Sequence, residues 1–187
     1  MRFAICAVAL ALGACAEEPA PTTNSTTDTT GETSMTAAPA FVAEDHAALL
    51  ASADPLLAAN KRLVYDMYRI VLQGGYADRA GEFIAEDYVQ HNPMADQGLA
   101  GVQDYIRKTR PERPLEDRLE LPLIHLMAEG NYVQTAFLRT ERDSAGQEYH
   151  STWFDLYRIE DGKIVEHWDP MLKTDTPIDP NSQRLDS

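Results

Sequence analysis

The last third of the chain alternates strand-like runs with tight-turn signals. Four runs are rich in apolar and aromatic residues, at 116–128, 132–142, 149–159 and 163–170. Three short polar stretches separate them, each with a glycine, at 129–131, 143–146 and 161–162. Strands joined by so few residues pair with their neighbours in antiparallel fashion. This part of the chain is therefore restricted to an antiparallel sheet.

The segment before these strands has the apolar spacing of helices. Apolar residues between 63 and 71 recur every three or four positions, which predicts a helix from an N-cap at Asn60 to about Gln73, where two glycines follow. Another helix is predicted at 98–110, ended by Pro111. Helices followed by consecutive hairpins predict an α+β fold, a curved antiparallel sheet packed on N-terminal helices with a pocket between them.

The first forty residues have the composition of an export signal and a linker. Arg2 precedes an apolar run at 3–12, and the next residues end at Cys15. The sequence Leu-Gly-Ala-Cys at 12–15 resembles a bacterial lipobox, which implies lipidation of Cys15. Residues 16–40 are rich in Thr, Pro, Ala and Ser, as in a disordered tether.

These features predict the organisation and location of the chain. We expect a lipoprotein-type signal peptide at 1–15, a tether at 16–40, a folded domain at 41–175 and an irregular tail at 176–187. The resemblance implies a lipid anchor in the bacterial outer membrane, facing the periplasm. An ordinary cleaved secretory signal is the alternative, and it also places the domain outside the cytoplasm.

Charge and cysteine content exclude several classes of function. The net charge of −14 argues against nucleic acid and anionic membrane surfaces as partners, so that membrane contact is expected only through the anchor. The two cysteines are Cys6 and Cys15, so the predicted domain has no disulfide, thiol nucleophile or cysteine metal site. Any catalysis therefore depends on His, Asp, Glu or Tyr.

An ordered set of motifs resembles a known family. The set comprises Tyr-Val-Gln-His-Asn-Pro at 88–93, Gly98 and Gly101, Ala-Glu-Gly-Asn-Tyr-Val at 128–133, and the run from Phe154 to Asp169. It is similar to the SnoaL-like polyketide cyclase family of the nuclear transport factor 2-like superfamily, over residues 58–172. The resemblance implies a cone-shaped α+β fold, an apolar pocket and a homodimer. It leaves the activity open, because relatives include cyclases, isomerases, epoxide hydrolases and proteins that only bind.

Asp155 is the candidate catalytic base. In the cyclases that the chain resembles, an Asp acts as acid and base on a polyketide without metal or cofactor. Asp155 lies in an aromatic strand, where Trp153 and Tyr157 share its face. Burial in an apolar pocket raises the pKa of a carboxylate and keeps it competent near neutral pH. The alternative is a structural ion pair, with Arg139 or Arg158.

The last hairpin decides which residues stand beside Asp155. His167 and Asp169 share one face of the final strand. A two-residue turn at 161–162 pairs Asp155 with Trp168, whereas a three-residue loop pairs Asp155 with His167. We favour the second register, which gathers Trp153, Asp155, His167 and Asp169, because the first places Glu166 beside Asp155.

The remaining candidates come from the loop after the strand-like residues 88–90 and from the aromatics. His91 is expected at the pocket mouth as a donor, although His91 and Asn92 could instead only order the loop. The catalytic candidates are Asp155, His91, His167 and Asp169, and the ligand-binding candidates are Trp153, Trp168, Tyr157 and Asn92. For the tryptophans the alternative is plain core packing. No close-spaced metal-ligand motif occurs, and we expect no metal and no cofactor.

Three functions remain open from the sequence. The leading hypothesis is cofactor-free acid/base chemistry, an aldol cyclisation or isomerisation of a small hydrophobic carbonyl or polyketide-like compound. The alternative is a non-catalytic envelope lipoprotein that binds a hydrophobic ligand or a protein partner. An epoxide hydrolase is the third, and it requires an Arg between two Asp, for which Arg139 and Arg158 are the candidates. The enzyme hypothesis requires Asp155 buried within reach of His91 or His167.

Overall fold

The computed structural model describes residues 42–173. The predicted signal peptide with Cys15, the tether at 16–40 and the tail at 176–187 lie outside the described residues. None of the helices within 42–173 has the length and apolar character needed to cross a membrane.

Helices come first along the chain and most strands follow. The helical elements are α1 (His46–Leu50), α2 (Pro55–Met67), a π-helical segment (Tyr68–Gln73), a 3₁₀ helix (Ala77–Glu82) and α3 (Gly98–Thr109). The strands are β1 (Ile84–Gln90), β2 (Leu123–Glu129), β3 (Tyr132–Arg142), β4 (Glu148–Glu160) and β5 (Lys163–Trp168). The predicted α+β class is confirmed, and the strand expected at 116–128 is shorter at its start.

The longest helix begins earlier than its apolar spacing predicts. Asp54 is the N-cap, and its Oδ1 accepts a hydrogen bond from the Leu56 N–H at 2.8 Å. Pro55 follows at the first helical position, where its missing N–H costs nothing. The predicted cap at Asn60 is therefore wrong. Asn60 is buried inside the helix, and its amide donates to the Gly130 carbonyl oxygen at 3.3 Å.

After α2 the helix widens into the π-helical segment. The Gly74 N–H donates to the Arg69 carbonyl oxygen, five residues earlier, at 3.1 Å. Tyr68 opens this segment, and its buried ring packs against Phe137 and Tyr157 of the sheet, with ring centroids 4.8 and 6.0 Å apart. Because π-helical turns are frequent at functional sites, the surroundings of Tyr68 are of interest.

The five strands form one sheet in the order β1-β5-β4-β3-β2. The four strands from β2 to β5 are antiparallel neighbours, as the turn signals predict. β1 adds a parallel partner for β5, outside the predicted antiparallel set. Parallel neighbours need a long crossover, which here includes α3 and three strands, and no local signal announces such a pairing.

One apolar core joins the helices to one face of the sheet. Its fully buried members include Val64 and Val71 from the helical layer and Leu123, Val133 and Ile164 from the strands. The helices cover the inner face, whereas Met127, Tyr132 and Phe154 remain exposed on the opposite, outer face. The pocket described next opens from the inner face.

Candidate functional site

A shift in the last hairpin sets the neighbours of Asp155. Asp161 and Gly162 both have positive φ, 49° and 72°, as in the type I′ turn that Asp-Gly favours. Next to the turn, Ile159 of β4 pairs with Ile164 of β5, but further along Tyr157 pairs with His167. One residue of β5, Val165, therefore has no partner in β4. Such a bulge moves every later side chain to the other face.

Both registers expected from the sequence are therefore wrong, since the turn has two residues but is followed by a bulge. Tyr157, not Asp155, lies opposite His167. The bulge nevertheless brings His167 onto the same face of the sheet as Asp155, which is the arrangement that the favoured register predicts. The His167 Nε2 lies 3.0 Å from the Asp155 Oδ1, and both side chains are buried.

Four side chains surround the Asp155 carboxylate. The Tyr68 hydroxyl donates to Oδ2 at 2.5 Å, and the Thr135 hydroxyl lies 3.4 Å from the same oxygen. The Trp153 indole N–H donates to Oδ1 at 2.9 Å, beside the imidazole of His167. Because the hydroxyls and the indole are donors, both oxygens of the carboxyl group accept hydrogen bonds.

The protonation of His167 follows from Gln90. The Gln90 Oε1 accepts a hydrogen bond from the Asn92 backbone N–H at 2.9 Å, which identifies this atom as the oxygen. The His167 Nδ1 lies 3.0 Å from the same oxygen and must therefore carry a proton. With Nδ1 committed in this way, one further proton is shared between Nε2 and Asp155. The Tyr157 ring stacks on this imidazole, with ring centroids 4.6 Å apart.

Two buried tyrosines extend the hydrogen-bond chain. The Tyr157 hydroxyl donates to the Tyr68 oxygen at 2.8 Å, and Tyr68 donates to Asp155. Burial, followed by the charge of Asp155, raises the pKa of both phenols well above 10. Burial likewise raises the pKa of Tyr88, whose oxygen accepts from the Gln90 amide at 3.0 Å. These hydroxyls remain neutral donors over the physiological range.

The raised pKa of Tyr157 predicts a loss of stability in alkali. Above pH 10 the unfolded chain releases this proton while the folded chain retains it, so the free energy of unfolding falls by about 1.4 kcal/mol per pH unit for each such tyrosine. In Tyr157→Phe, the free energy of unfolding should therefore fall less steeply between pH 10 and 11, because one such contribution is absent. Urea unfolding at several pH values in this range measures the slope. The exposed Tyr149→Phe is the control. Equal slopes in wild type and Tyr157→Phe would contradict the prediction.

The Asp155 cluster lines a cavity of about 610 Å³. Apolar walls come from the helical layer through Met67 and Leu72, from α3 through Val102, and from the sheet through Phe137 and Ile164. A cavity of this size accommodates a small organic molecule.

Most predicted site residues lie in this pocket. Asp155, His167, Asp169, Trp153, Tyr157 and Asn92 all line it. Asp169 is held in place by neighbours, since its Oδ2 accepts from the Asn92 amide at 2.6 Å and its Oδ1 accepts from the Met171 N–H at 2.9 Å. The structure thus brings six of the eight candidates together.

His91 and Trp168 lie on the outer face instead. The His91 Nε2 is 2.8 Å from the Glu166 Oε1, and its ring stacks on Trp168 with centroids 4.8 Å apart. The expectation of His91 at the pocket mouth is not met, because Gln90 points to the inner face and successive side chains alternate. Trp168 follows His167 and faces outward for the same reason. The hydrogen bond from His91 lowers the pKa of Glu166, and Arg158 adds to the effect.

Three residues of the cluster were not chosen from the sequence. Gln90 lies inside the motif at 88–93, but a glutamine there is not by itself a catalytic signal. The helical spacing of Tyr68 is typical of a core residue and does not indicate a role in a site. The sequence around Thr135 contains no motif that indicates such a role. One signal could have identified Gln90: in a strand, residues 88 and 90 lie on the same face, so Gln90 is expected beside Tyr88.

A metal ion would compete with existing hydrogen bonds. Asp155, His167 and Asp169 each offer a ligand atom within 4.8 Å of one another, which is compatible with a divalent cation. The same His167 Nε2 and Asp155 oxygens already bond to each other and to Trp153 and Tyr68. An ion could enter only by displacing these contacts.

The arginines named with Asp155 in the sequence have other partners. Arg139 pairs with Glu141 at 2.8 Å, and its guanidinium lies 4.6 Å above the Trp153 ring. The Arg158 Nε pairs with the Glu166 Oε2 at 2.6 Å. The hydrogen-bond partners of Asp155 within 42–173 include neither arginine.

A family model described as a SnoaL-like domain matches residues 64–167. The matched segment starts in α2, ends in β5 and contains the whole Asp155 cluster. Comparison with curated proteins gives no match.

Several solved structures are similar to the chain. TsrD from Streptomyces laurentii is 23% identical, with a TM-score of 0.45 and coverage of 63% of this chain and 90% of that one. A protein from Jannaschia sp. CCS1 described as a SnoaL-like polyketide cyclase is 17% identical, with a TM-score of 0.46 and coverage of 64% and 91%. An LEH-like epoxide hydrolase from M. tuberculosis is 17% identical, with a TM-score of 0.45 and coverage of 62% and 84%.

Proposed function

Because the chain belongs to the SnoaL-like domain family, we propose that its pocket performs cofactor-free acid/base chemistry on a small hydrophobic carbonyl compound, an aldol cyclisation or an isomerisation. One observation carries the proposal: a buried carboxyl group, 3.0 Å from the Nε2 of a buried imidazole, lines a cavity with apolar walls. Such a carboxylate is placed to exchange a proton with a carbon acid.

The aldol version balances without a co-reactant. Asp155 takes a proton from the carbon next to one carbonyl group, and the enolate carbon then forms a bond with a second carbonyl carbon. The resulting alkoxide oxygen takes the proton back from Asp155. In the isomerisation, Asp155 returns the proton to a different carbon. His167 supports both versions by holding the Asp155 carboxyl group in place, with its Nε2 3.0 Å from Oδ1.

Asp155 must lose one donor before it can act as a base. Hydrogen bonds to a carboxylate favour the ionised form and weaken it as a base. Tyr68, Thr135 and His167 are buried, whereas Trp153 is partly exposed. We therefore propose that the substrate displaces the Trp153 indole from Oδ1 when it enters the pocket.

The test is proton exchange at carbon. The purified protein is incubated with β-tetralone or acetophenone in D₂O, and deuterium incorporation next to the carbonyl is followed by NMR. Exchange faster than in buffer supports the proposal. Trp153 fluorescence in a Trp168→Phe variant reports occupancy of the pocket, since these are the two tryptophans of the chain.

The saturated carboxylate also favours a second candidate, a non-catalytic module that binds a hydrophobic ligand. Both oxygens of Asp155 already accept hydrogen bonds, so this carboxyl group is not a free base in the resting pocket. Ligand binding without faster exchange in the experiment above would select this alternative.

We also propose that two copies pair through the outer face of the sheet. Phe154 and Met127 are each 49% exposed there and border a groove. Large exposed apolar side chains in one patch are typical of an interface, and a twofold axis would place the same patch on both subunits.

A charge in this patch is expected to separate the copies. Phe154→Glu should yield monomer at micromolar concentration, because pairing would bury an uncompensated carboxylate. Sedimentation equilibrium measures the mass. The control is Ala100→Glu on the exposed side of α3. A wild type that is monomeric, or a Phe154→Glu variant that stays dimeric, would contradict the proposed interface.

We propose, finally, that the domain is held at the cell envelope by a lipid on Cys15. The support is the sequence at 12–15 and the tether-like composition at 16–40. Fractionation of cells that express Cys15→Ser is the check, with loss from the membrane fraction as the expected result.

A further inference from the structure

The Arg110 side chain is a pocket residue that the proposed reaction does not use. Arg110 follows α3 and contributes to the cavity wall. Its Nε is buried, and among residues 42–173 this atom has no hydrogen-bond partner. A buried charged donor left unpaired is unfavourable, and such groups in native proteins usually have a partner. A ligand in the cavity could supply one.

Of the other charged residues that line the pocket, Asp96 is exposed and the rest have partners. Asp155 is paired with His167, and Arg139 with Glu141. Asp169 accepts hydrogen bonds from Asn92 and Met171. Arg110 differs from these groups, because its buried Nε has no hydrogen-bond partner among the described residues.

The backbone holds Arg110 in a defined position. Its N–H donates to the Ile106 carbonyl oxygen at 2.9 Å, and it precedes Pro111, which favours the observed extended conformation with φ −136° and ψ 107°. The Arg110 and Pro111 carbonyl oxygens lie against Gly75, where an added Cβ would meet them at 3.0 and 2.6 Å. So close an approach leaves little freedom to this end of α3.

We propose that Arg110 binds a carboxylate of the substrate, so that the pocket selects carbonyl compounds carrying an acid group. The planar guanidinium offers Nε–H and Nη–H donors in a fork that matches two carboxylate oxygens. One guanidinium also matches the single charge of a carboxylate better than the double charge of a phosphate. The inference rests on the proposed function for the reacting carbonyl and adds a second recognition point.

The experiment compares three probes that share one skeleton. Benzoylpropionate, its methyl ester and the analogue with a phosphonate in place of the carboxylate are titrated against the Trp168→Phe protein, with Trp153 fluorescence as the readout. The acid should bind about tenfold or more tightly than the ester, as expected for a charge-assisted contact. Arg110→Met should remove this preference and leave the affinity for the ester unchanged.

Two further variants sharpen the test. Arg107→Met is the matched control, because Arg107 lies on α3, pairs with Asp78 and does not line the pocket. It should keep the preference for the acid. Arg110→Lys retains the charge without the fork and should restore part of the preference, which also excludes a folding defect as the cause.

Several outcomes would overturn the inference. The acid binding no better than the ester in wild type, or an unchanged preference in Arg110→Met, removes Arg110 from recognition. Tighter binding of the phosphonate than of the acid overturns the assignment to carboxylates. Because binding needs no turnover, intact acid preference without proton exchange rejects the proposed reaction and supports the inference.

Discussion

Replacing Asp155 by asparagine should reduce proton exchange at the substrate carbon by about 10²–10⁴-fold, the usual contribution of a positioned general base. The amide has nearly the shape of the carboxylate but cannot take up the proton. It also presents an NH₂ group to a cluster made of donors, Tyr68, Trp153 and His167. Exchange rates by NMR, with the probe saturating the pocket, measure the effect.

The control for this variant is Asp87→Asn, the same chemical change at an exposed carboxylate of β1 that does not line the pocket. It should exchange at the wild-type rate. Near-ultraviolet circular dichroism of both variants separates lost chemistry from lost folding. A folded Asp155→Asn protein with a rate close to wild type would exclude Asp155 as the base.

Replacing His167 by leucine should lower the free energy of unfolding by about 3–5 kcal/mol, the usual result of removing one partner of a buried ion pair. The Asp155 carboxyl group would keep its hydroxyl and indole donors but lose the imidazole partner at 3.0 Å. The Gln90 Oε1 would lose the hydrogen bond that it accepts from the imidazole Nδ1–H. Urea unfolding at neutral pH measures the change.

A double-mutant cycle isolates the contribution of the pair. With asparagine at position 155 the buried charge is gone, so adding His167→Leu should cost much less than in the wild type. The matched control is His91→Leu, since that histidine pairs with Glu166 on a partly exposed surface, where an ion pair is usually worth about 1 kcal/mol or less. Simple additivity in the cycle would show that His167 and Asp155 are not coupled.

Much of the fold could be predicted because its signals are local. The Asp-Gly pair at 161–162 specifies a turn with two positive φ values whatever surrounds it. Alternation along β4 places Trp153, Asp155 and Tyr157 on one face, and the structure agrees. The predicted helix start at Asn60 is wrong, because Asp54-Pro55 and Asn60 both have the chemistry of a helix N-terminus and the local sequence does not distinguish them.

The site needed more than local signals. The unpartnered Val165 shifts the register of β5 by one residue, and thereby determines that His167 rather than Glu166 or Trp168 faces Asp155. Side chains also alternate at the end of β1, where Gln90 points to the inner face and His91 to the outer face. Which of the two faces inward depends on the pairing of β1 with β5. A bulge reflects packing on both faces of the sheet, which a single strand's sequence does not contain.

By itself the sequence determined the α+β class, the order of the antiparallel strands, the resemblance to the SnoaL-like family and the choice of Asp155. These depend on periodicity, turn chemistry and residue type, which act within a few neighbouring residues. Only the tertiary structure decided that Tyr68, from a helix 87 residues away in sequence, donates to Asp155, and that Gln90 orients His167. It also decided that Arg110 reaches the pocket without a partner for its Nε within 42–173. Contacts of this kind form when distant segments pack together, so their geometry belongs to the fold as a whole.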